Sequence, residues 1–468
     1  MPQSVLKTIT AARQLTLAQQ LSQLDLAAIS AKLQPSRRSL AQALAEPRTS
    51  FILECKQASP SHGRLRQHWN VNQLANIYHR YAAAISVLTE PEYFQGDFRD
   101  LSIVANSVTL PVLCKDFIQQ PEHILLARYF GADAILLMMA VLSDEQYLTL
   151  AKLAQRYNLD ILTEVATETE LERAIRLGAN IIGINNRDLH DLSIDQQRAI
   201  ELAQRIPPDV LVVAASGYHT HLQIRAAAPY VDGFLIGSSL TSATNVDQAC
   251  RELIYGHHKV CGLTSAADAQ MVHAAGAAYG GLIFVPHSPR RITYEQAQTI
   301  INTTPELTYV GVFANQPLPH VIATATLLSL TVVQLHGDED DDYYRDLAAA
   351  LPHLAIWRAH AVNGPIQLPN PMPDRVVLDS PGGGSGKPFA WSYLAQLPAT
   401  QRQHIMLAGG IGPHNLESAQ ATQMQCFDFN SALEWAPGRK DAGKVMQVFQ
   451  QLRNYGRSAM PPMRESNL

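Results

Sequence analysis

The chain has 468 residues, enough for about three ordinary domains or for two α/β barrels of about 200–250 residues each. Apolar residues make up 47% and charged residues only 16%, the opposite of the balance that leaves a chain disordered. The net charge is −5, from 36 Lys+Arg against 41 Asp+Glu, and no basic block speaks for a nucleic-acid platform. Cysteines 55, 114, 250, 261 and 426 form no C-x-x-C pair, so neither a disulfide framework nor a thiolate zinc site is expected. The longest apolar run, Ala134 to Leu142, is far short of the ~18 residues that span a membrane. A reduced, soluble, cytoplasmic protein is the expectation.

Residues 1–50 read as a helical lead-in, and Lys7 and Arg13 interrupt any signal-peptide core. Short runs rich in Ile, Val and Leu then begin near Phe51, Ala84, Pro111, Ala134, Asp160, Ile181, Val210 and Gly233, about every 26 residues. A second series begins near Lys259, Tyr279, Thr308, Thr331, Ala355, Arg375, Ile405 and Cys426, about every 24 residues. Continuous apolar runs without alternation suit parallel strands buried on both faces. Between them lie helix signals, such as Pro121 at a helix start and the Gly-Ala pairs at Gly131, Gly178 and Gly276, where glycine suits a left-handed cap. Eight strand-and-return units, twice over, predict two consecutive (β/α)8 TIM barrels. Open doubly wound sheets usually stop at about five or six strands. The boundary falls near Tyr255–His258, giving domains 1–255, with its helical extension, and 256–468, with a tail expected to fray after Tyr455.

Barrel enzymes carry their chemistry at the C-terminal strand ends. In the first half those places hold Glu54 and Lys56, Glu90, Lys115, Glu164, Asn185 with Arg187, Ser216-Gly217 and Gly237-Ser238. Taken singly, each charge could belong to a ring of salt bridges. As a set, two lysines facing several carboxylates around one mouth suit general acid–base catalysis. The small loops after strands seven and eight suit a phosphate, whose charge backbone N–H groups can hold.

The second half offers Cys261, Arg290, His336, Asp379, Gly409-Gly410 and Ser431 at the corresponding places. Gly382 to Lys387 fails the P-loop pattern, because Pro381 and Pro388 stand where it needs Gly and Ser or Thr, and reads as a lid. His257 and His258 are adjacent and make no metal site.

At this point whole motifs match. The first half resembles indole-3-glycerol-phosphate synthase through Ile52-Leu-Glu-Cys-Lys-Gln-Ala-Ser-Pro-Ser61, Ile85-Ser-Val-Leu-Thr-Glu90, Pro111-Val-Leu-Cys-Lys-Asp-Phe117, Leu162-Thr-Glu-Val165, Gly183-Ile-Asn-Asn-Arg-Asp-Leu189 and Gly233-Phe-Leu-Ile-Gly-Ser238. The second half resembles phosphoribosylanthranilate isomerase through Lys259-Val-Cys-Gly-Leu-Thr264, Ser288-Pro-Arg290, Val333-Gln-Leu-His-Gly337, Gly383-Gly-Ser-Gly386, Leu407-Ala-Gly-Gly410 and Asp428-Phe-Asn-Ser431.

The resemblance implies two consecutive steps of tryptophan biosynthesis on small phosphosugar–anthranilate substrates. No metal, organic cofactor, nucleic acid, membrane or obligatory protein partner is implied. For the isomerase it implies Asp379 as general acid and Cys261, as thiolate, as base. A nearby positive charge or a helix start is needed to lower that thiol's pKa. Arg290 and His336 would hold the anthranilate, and Gly409, Gly410, Asp428 and Ser431 the rest of the substrate. For the synthase it implies Lys115 as general acid, Glu164 as general base, Glu54 assisting, and Lys56 as carboxylate ligand or second acid. Asn185 would orient hydroxyls, and Ser59, Arg187, Ser216, Gly217, Gly237 and Ser238 would surround the phosphate.

One departure stands out. Ala215 occupies the place of a family glutamate, and His62 and Glu92 stand where lysine is frequent. This leaves the alternative of a working isomerase fused to an impaired or purely structural first barrel.

Overall fold

In a computed structural model of the chain, the described residues are 5–188, 191–381 and 389–457. Two compact units are formed, Met1–Cys250 with Asn454–Leu468, and Arg251–Arg453. The expected lid, Gly382 to Lys387, lies outside the described residues. Among the described residues no helix is long and apolar enough to cross a membrane.

The first unit is a closed parallel barrel of strands β1 (Ser50–Cys55), β2 (Ala84–Leu88), β3 (Val112–Lys115), β4 (Ala134–Met138), β5 (Asp160–Val165), β6 (Ile181–Asn185), β7 (Leu211–Ala215) and β8 (Gly233–Ile236). Closure is made by β1, which pairs Ile52 with Ala84 on one side and Ser50 with Gly233 on the other. The strands begin within one residue of the apolar runs. The interior is filled by Ile52, Leu113, Leu136, Leu162, Val213 and Leu235. Returning helices start and stop where the punctuation says. Pro121 is the first residue of Pro121–Tyr129, and Gly131, Gly178 and Gly276 all have positive φ.

The lead-in supplies α1 (Val5–Ser22), α2 (Leu26–Lys32) and α3 (Leu40–Leu44). α3 closes the floor of the barrel. Leu40 and Leu44 are fully buried, and Ser39 Oγ and the Ala41 N–H both donate to Asp160 Oδ2 at the start of β5. α1 serves the opposite end, placing Val5, Leu6 and Ile9 on the wall of the cavity described below.

The second unit closes in the same way with β9 (Lys259–Val260), β10 (Tyr279–Ile283), β11 (Thr308–Phe313), β12 (Val332–Leu335), β13 (Ala355–Ala361), β14 (Arg375–Asp379), β15 (Ile405–Leu407) and β16 (Cys426–Phe429). β9 pairs with β10 and β16. Its inner layer includes Cys261, Val310, Val332, Trp357, Val377 and Met406.

The chain is anchored at Tyr455, the residue after which fraying is expected, and again at Arg457. The backbone N–H and the hydroxyl of Thr49 both donate to the Tyr455 carbonyl, at 3.1 and 3.0 Å. The Arg225 guanidinium stands 5.0 Å from the Tyr455 ring centroid, and Arg457 pairs with Asp232 at 3.1 Å. These residues complete the first unit, although they come last in the chain. Burial of one aromatic side chain is worth about 2 kcal/mol, and each kcal/mol moves the midpoint of a unit this size by about 2–4 °C. Deleting 454–468 should therefore lower the melting transition that tracks ring closure by about 4–8 °C and leave the isomerase transition in place. Calorimetry with both assays checks this.

Candidate active sites

A cavity of about 420 Å³ opens at the C-terminal ends of β1–β8. Glu54, Lys56, Lys115, Glu164 and Asn185 all face it. Lys56 Nζ lies 2.9 Å from Glu54 Oε1, and Lys115 Nζ lies 3.7 Å from Glu164 Oε2. Asn185 Nδ2 donates to Glu164 Oε1 at 3.1 Å, while its Oδ1 accepts the Arg187 N–H at 3.0 Å. Asn185 thus links the carboxylate to the loop that carries Arg187.

The electrostatics follow from this alternation. Burial works to raise the Glu54 carboxyl, but the Lys56 and Lys115 ammonium groups outweigh it and hold the pKa below the usual range. Burial works to discharge Lys115, but Glu164 and Glu54 outweigh that too and hold it above the usual lysine range. The site therefore presents a protonated Lys115 beside an ionised Glu54, the pairing that a proton relay needs.

Ser59, Arg187, Ser216, Gly217, Gly237 and Ser238 line the same cavity. Ser216 and Gly217 are consecutive left-handed residues, at φ 69° and 85°. A Cβ on Gly217 would meet Ile194 Cγ2 at 2.5 Å and would sit on a left-handed backbone, so glycine is favoured there.

Phe94, Phe117, Tyr218 and His219 also line the wall, and none of them was assigned a site role from the sequence. Phe117 closes the Pro111–Phe117 motif, and Tyr218 and His219 follow Ser216-Gly217, but their types alone give no chemical signal. Glu90 is not in the cavity. Its carboxylate accepts the backbone N–H groups of Glu92, Tyr93 and Phe94 at 2.8–2.9 Å, which makes it a loop anchor. Ala215 ends β7 on the cavity wall and is 8% exposed.

The helix α1 is tied down beside Lys115. Arg13 is 1% exposed and grips Asp116, the residue after Lys115, at 2.9 and 3.0 Å, while His123 Nε2 lies 3.2 Å from the same carboxylate. Burial alone would raise the Asp116 pKa, but His123 and Arg13 hold it far below the usual range. Removing one partner of a buried pair costs about 3–5 kcal/mol, because the other charge is stranded. Arg13→Met should lower the first unit's midpoint by about 10 °C at neutral pH. A depressed carboxyl contributes its stability above the unfolded pKa of about 4 and loses it as pH falls toward the folded value. The gap between parent and variant melts should therefore hold down to about pH 4 and narrow below it, which a thermal series from pH 7 to about pH 2 reads directly.

In the second unit Cys261 stands one residue beyond β9 and is buried. Lys259, fully buried, donates to Asp428 Oδ2 at 2.7 Å and to Gln334 Oε1 at 2.9 Å. Burial pushes the Cys261 thiol up, Lys259 and Lys440 pull it back, and the balance stays above the usual thiol range. The expected positive charge is thus present, and burial exceeds it. Gly281 on β10 makes room for this pair, since a Cβ there would lie 2.6 Å from Cys261 Sγ and 2.9 Å from Lys259 Cε.

Asp379 ends β14. Its Oδ1 accepts the Ser380 N–H at 2.7 Å, and its Oδ2 lies 3.5 Å from His336 Nε2. Gly409, Gly410 and Ser431 follow β15 and β16, the two glycines at φ 96° and 66°. Arg290 is held by Glu434 through Nε at 3.0 Å and Nη2 at 2.8 Å, and Lys440 Nζ reaches the same carboxylate at 2.8 Å. Sequence reading missed Glu434, Lys440, Lys259 and Gln334 as neighbours of these groups.

The family model for indole-3-glycerol phosphate synthase matches residues 6–253, and that for N-(5'phosphoribosyl)anthranilate (PRA) isomerase matches residues 258–451. The chain belongs to the fused synthase–isomerase family. The relative from Vibrio cholerae serotype O1, named tryptophan biosynthesis protein TrpCF, is 47% identical over 90% of each chain. The Salmonella typhi protein of the same name is 46% identical over 97% of this chain and all of its own. A solved phosphoribosyl anthranilate isomerase from Thermus thermophilus is 32% identical, covering 42% of this chain and 98% of its own at a TM-score of 0.40. The synthase–isomerase is bifunctional, a carboxy-lyase in its first barrel and an isomerase in its second. The alternative of a merely structural first barrel finds no support over this reading.

Proposed function

We propose that each barrel works with the residues gathered at its own mouth. In the second, Asp379 protonates the ribose ring oxygen of N-(5-phosphoribosyl)anthranilate and the ring opens. Cys261, as thiolate, then takes the proton from sugar carbon 2, which completes the Amadori rearrangement. Lys259 supplies the positive charge that favours the thiolate, and Arg290 and His336 face the anthranilate. Backbone groups of Gly409, Gly410 and Ser431 take the phosphate, with Asp428 in the substrate-binding set.

In the first barrel Lys115 donates a proton to the ketone oxygen that leaves as water. Carbon dioxide is lost as the indole ring closes, and Glu164 removes the final proton. Glu54 assists, and Lys56 binds the substrate carboxylate or acts as a second acid. Asn185 orients the hydroxyls, while Ser59, Arg187, Ser216, Gly217, Gly237 and Ser238 surround the phosphate. The anthranilate nitrogen supplies the electrons in both steps, so neither calls on a metal or an organic cofactor. The five buried free thiols fit a reduced, cytoplasmic setting.

The observation that carries this reading is the alternation of two lysines and two carboxylates around one cavity, with opposite charges at 2.9 and 3.7 Å. Feeding N-(5-phosphoribosyl)anthranilate to the pure protein tests it. Indole-3-glycerol phosphate and carbon dioxide should accumulate. Arrest at the open-chain ketone would remove the first barrel from the scheme.

A further inference from the structure

Neither step above uses Gln334, which lies on β12 and is 1% exposed. Its two amide atoms have different partners. The Lys259 ammonium donates to Oε1 at 2.9 Å, and Nε2 lies 2.8 Å from His336 Nδ1. An ammonium group has only protons to offer, so it decides which end of the amide is oxygen. A flipped amide would set NH₂ against NH₃⁺. The end that faces His336 is therefore a donor, and Nδ1 must accept. A neutral imidazole that accepts at Nδ1 carries its proton on Nε2. That nitrogen is the one 3.5 Å from Asp379 Oδ2. Lys259 is itself anchored on its far side by Asp428. A single polar chain, Asp428–Lys259–Gln334–His336–Asp379, thus connects four strands at one barrel mouth.

We infer that Gln334 is a positioning residue of the isomerase: with Lys259 it sets the tautomer of His336 and aims an N–H at the Asp379 carboxyl. This rests on the reading of Asp379 as the acid. The tautomer matters for that role. An N–H at Oδ2 cannot take the acid's proton. The other tautomer would present a lone pair there, which would bind the proton and keep it from the substrate. A histidine's tautomer is commonly fixed by the group its second nitrogen meets, and here that group is an amide which a buried lysine cannot let turn.

The test uses the full chain labelled with ¹⁵N-histidine, with the His336 signals assigned by comparison with His336→Asn. The parent should show an unprotonated, acceptor-type Nδ1 and a protonated Nε2. Gln334→Met should give a mixture of tautomers, a kcat for isomerisation lowered about ten-fold, a KM changed less than two-fold, and an unchanged ring-closing rate. Gln334→Glu keeps the shape but accepts at both ends. It should put a proton on Nδ1 and lower kcat at least as far, and it decides the matter alone if the methionine variant does not fold. A protonated Nδ1 in the parent overturns the inference. So does a shifted tautomer with kcat within two-fold of the parent. The reading of Asp379 is judged separately, by Asp379→Asn. Full isomerisation there would remove the acid assignment whatever tautomer His336 holds.

Discussion

Lys115→Ala should lower the ring-closing rate by about 10²–10⁴-fold, the usual contribution of a general acid, while isomerisation continues at the parent rate. Lys115 ends β3, and its ammonium is kept charged by Glu164 and Glu54 despite burial. Alanine removes the ammonium group assigned to protonate the leaving oxygen. It also leaves Glu164 without its cation at 3.7 Å, so the base loses its partner in the same stroke. Carbon dioxide release from the open-chain intermediate measures the loss. The second barrel of the same polypeptide is the control, because a fall in both activities would indicate a folding defect. A variant that closes the ring within a few-fold of the parent would pass the acid role to Lys56.

Cys261→Ser and Asp379→Asn should each abolish isomerisation to a similar extent, about 10²–10⁴-fold, and spare ring closure. Serine keeps the size of the side chain but is far too weak an acid to form an anion at neutral pH, even beside Lys259. Burial already raises the Cys261 thiol, so the smaller intrinsic acidity of a hydroxyl has no compensation. Asparagine at 379 can still accept the Ser380 N–H, and so preserves the turn while removing the proton. The assay follows consumption of N-(5-phosphoribosyl)anthranilate. Turnover near the parent level in either variant would take that residue out of its role.

Much of this was legible in the chain because the information is local. A strand buried on both faces must be apolar throughout, so each run from Phe51 to Cys426 announced itself, and Gly131, Gly178 and Gly276 marked the turns between. The placement of Glu54, Lys56, Lys115, Glu164 and Asn185 at strand ends was equally visible, because a barrel brings all such ends to one mouth. Ala215 could be placed on the wall in the same way. Glu90 could not be separated from them, since its position in sequence is the same and only its three backbone donors distinguish it.

By itself, then, the sequence determined two eight-fold barrels, their order, and the residue types at each mouth. Tertiary structure decided which of those residues meet. Arg13 and Asp116 are 103 positions apart and pair only because α1 crosses the mouth of the barrel. Arg290 and Glu434 are 144 apart, and Thr49 and Tyr455 are 406 apart. Lys259 reaches Asp428 and Gln334 because β9 pairs with β16 and because glycine at 281 leaves the space. Periodicity reports what surrounds a residue along its own strand or helix. The partner across a closed barrel depends on register and on the burial of both groups, and neither exists until the barrel closes.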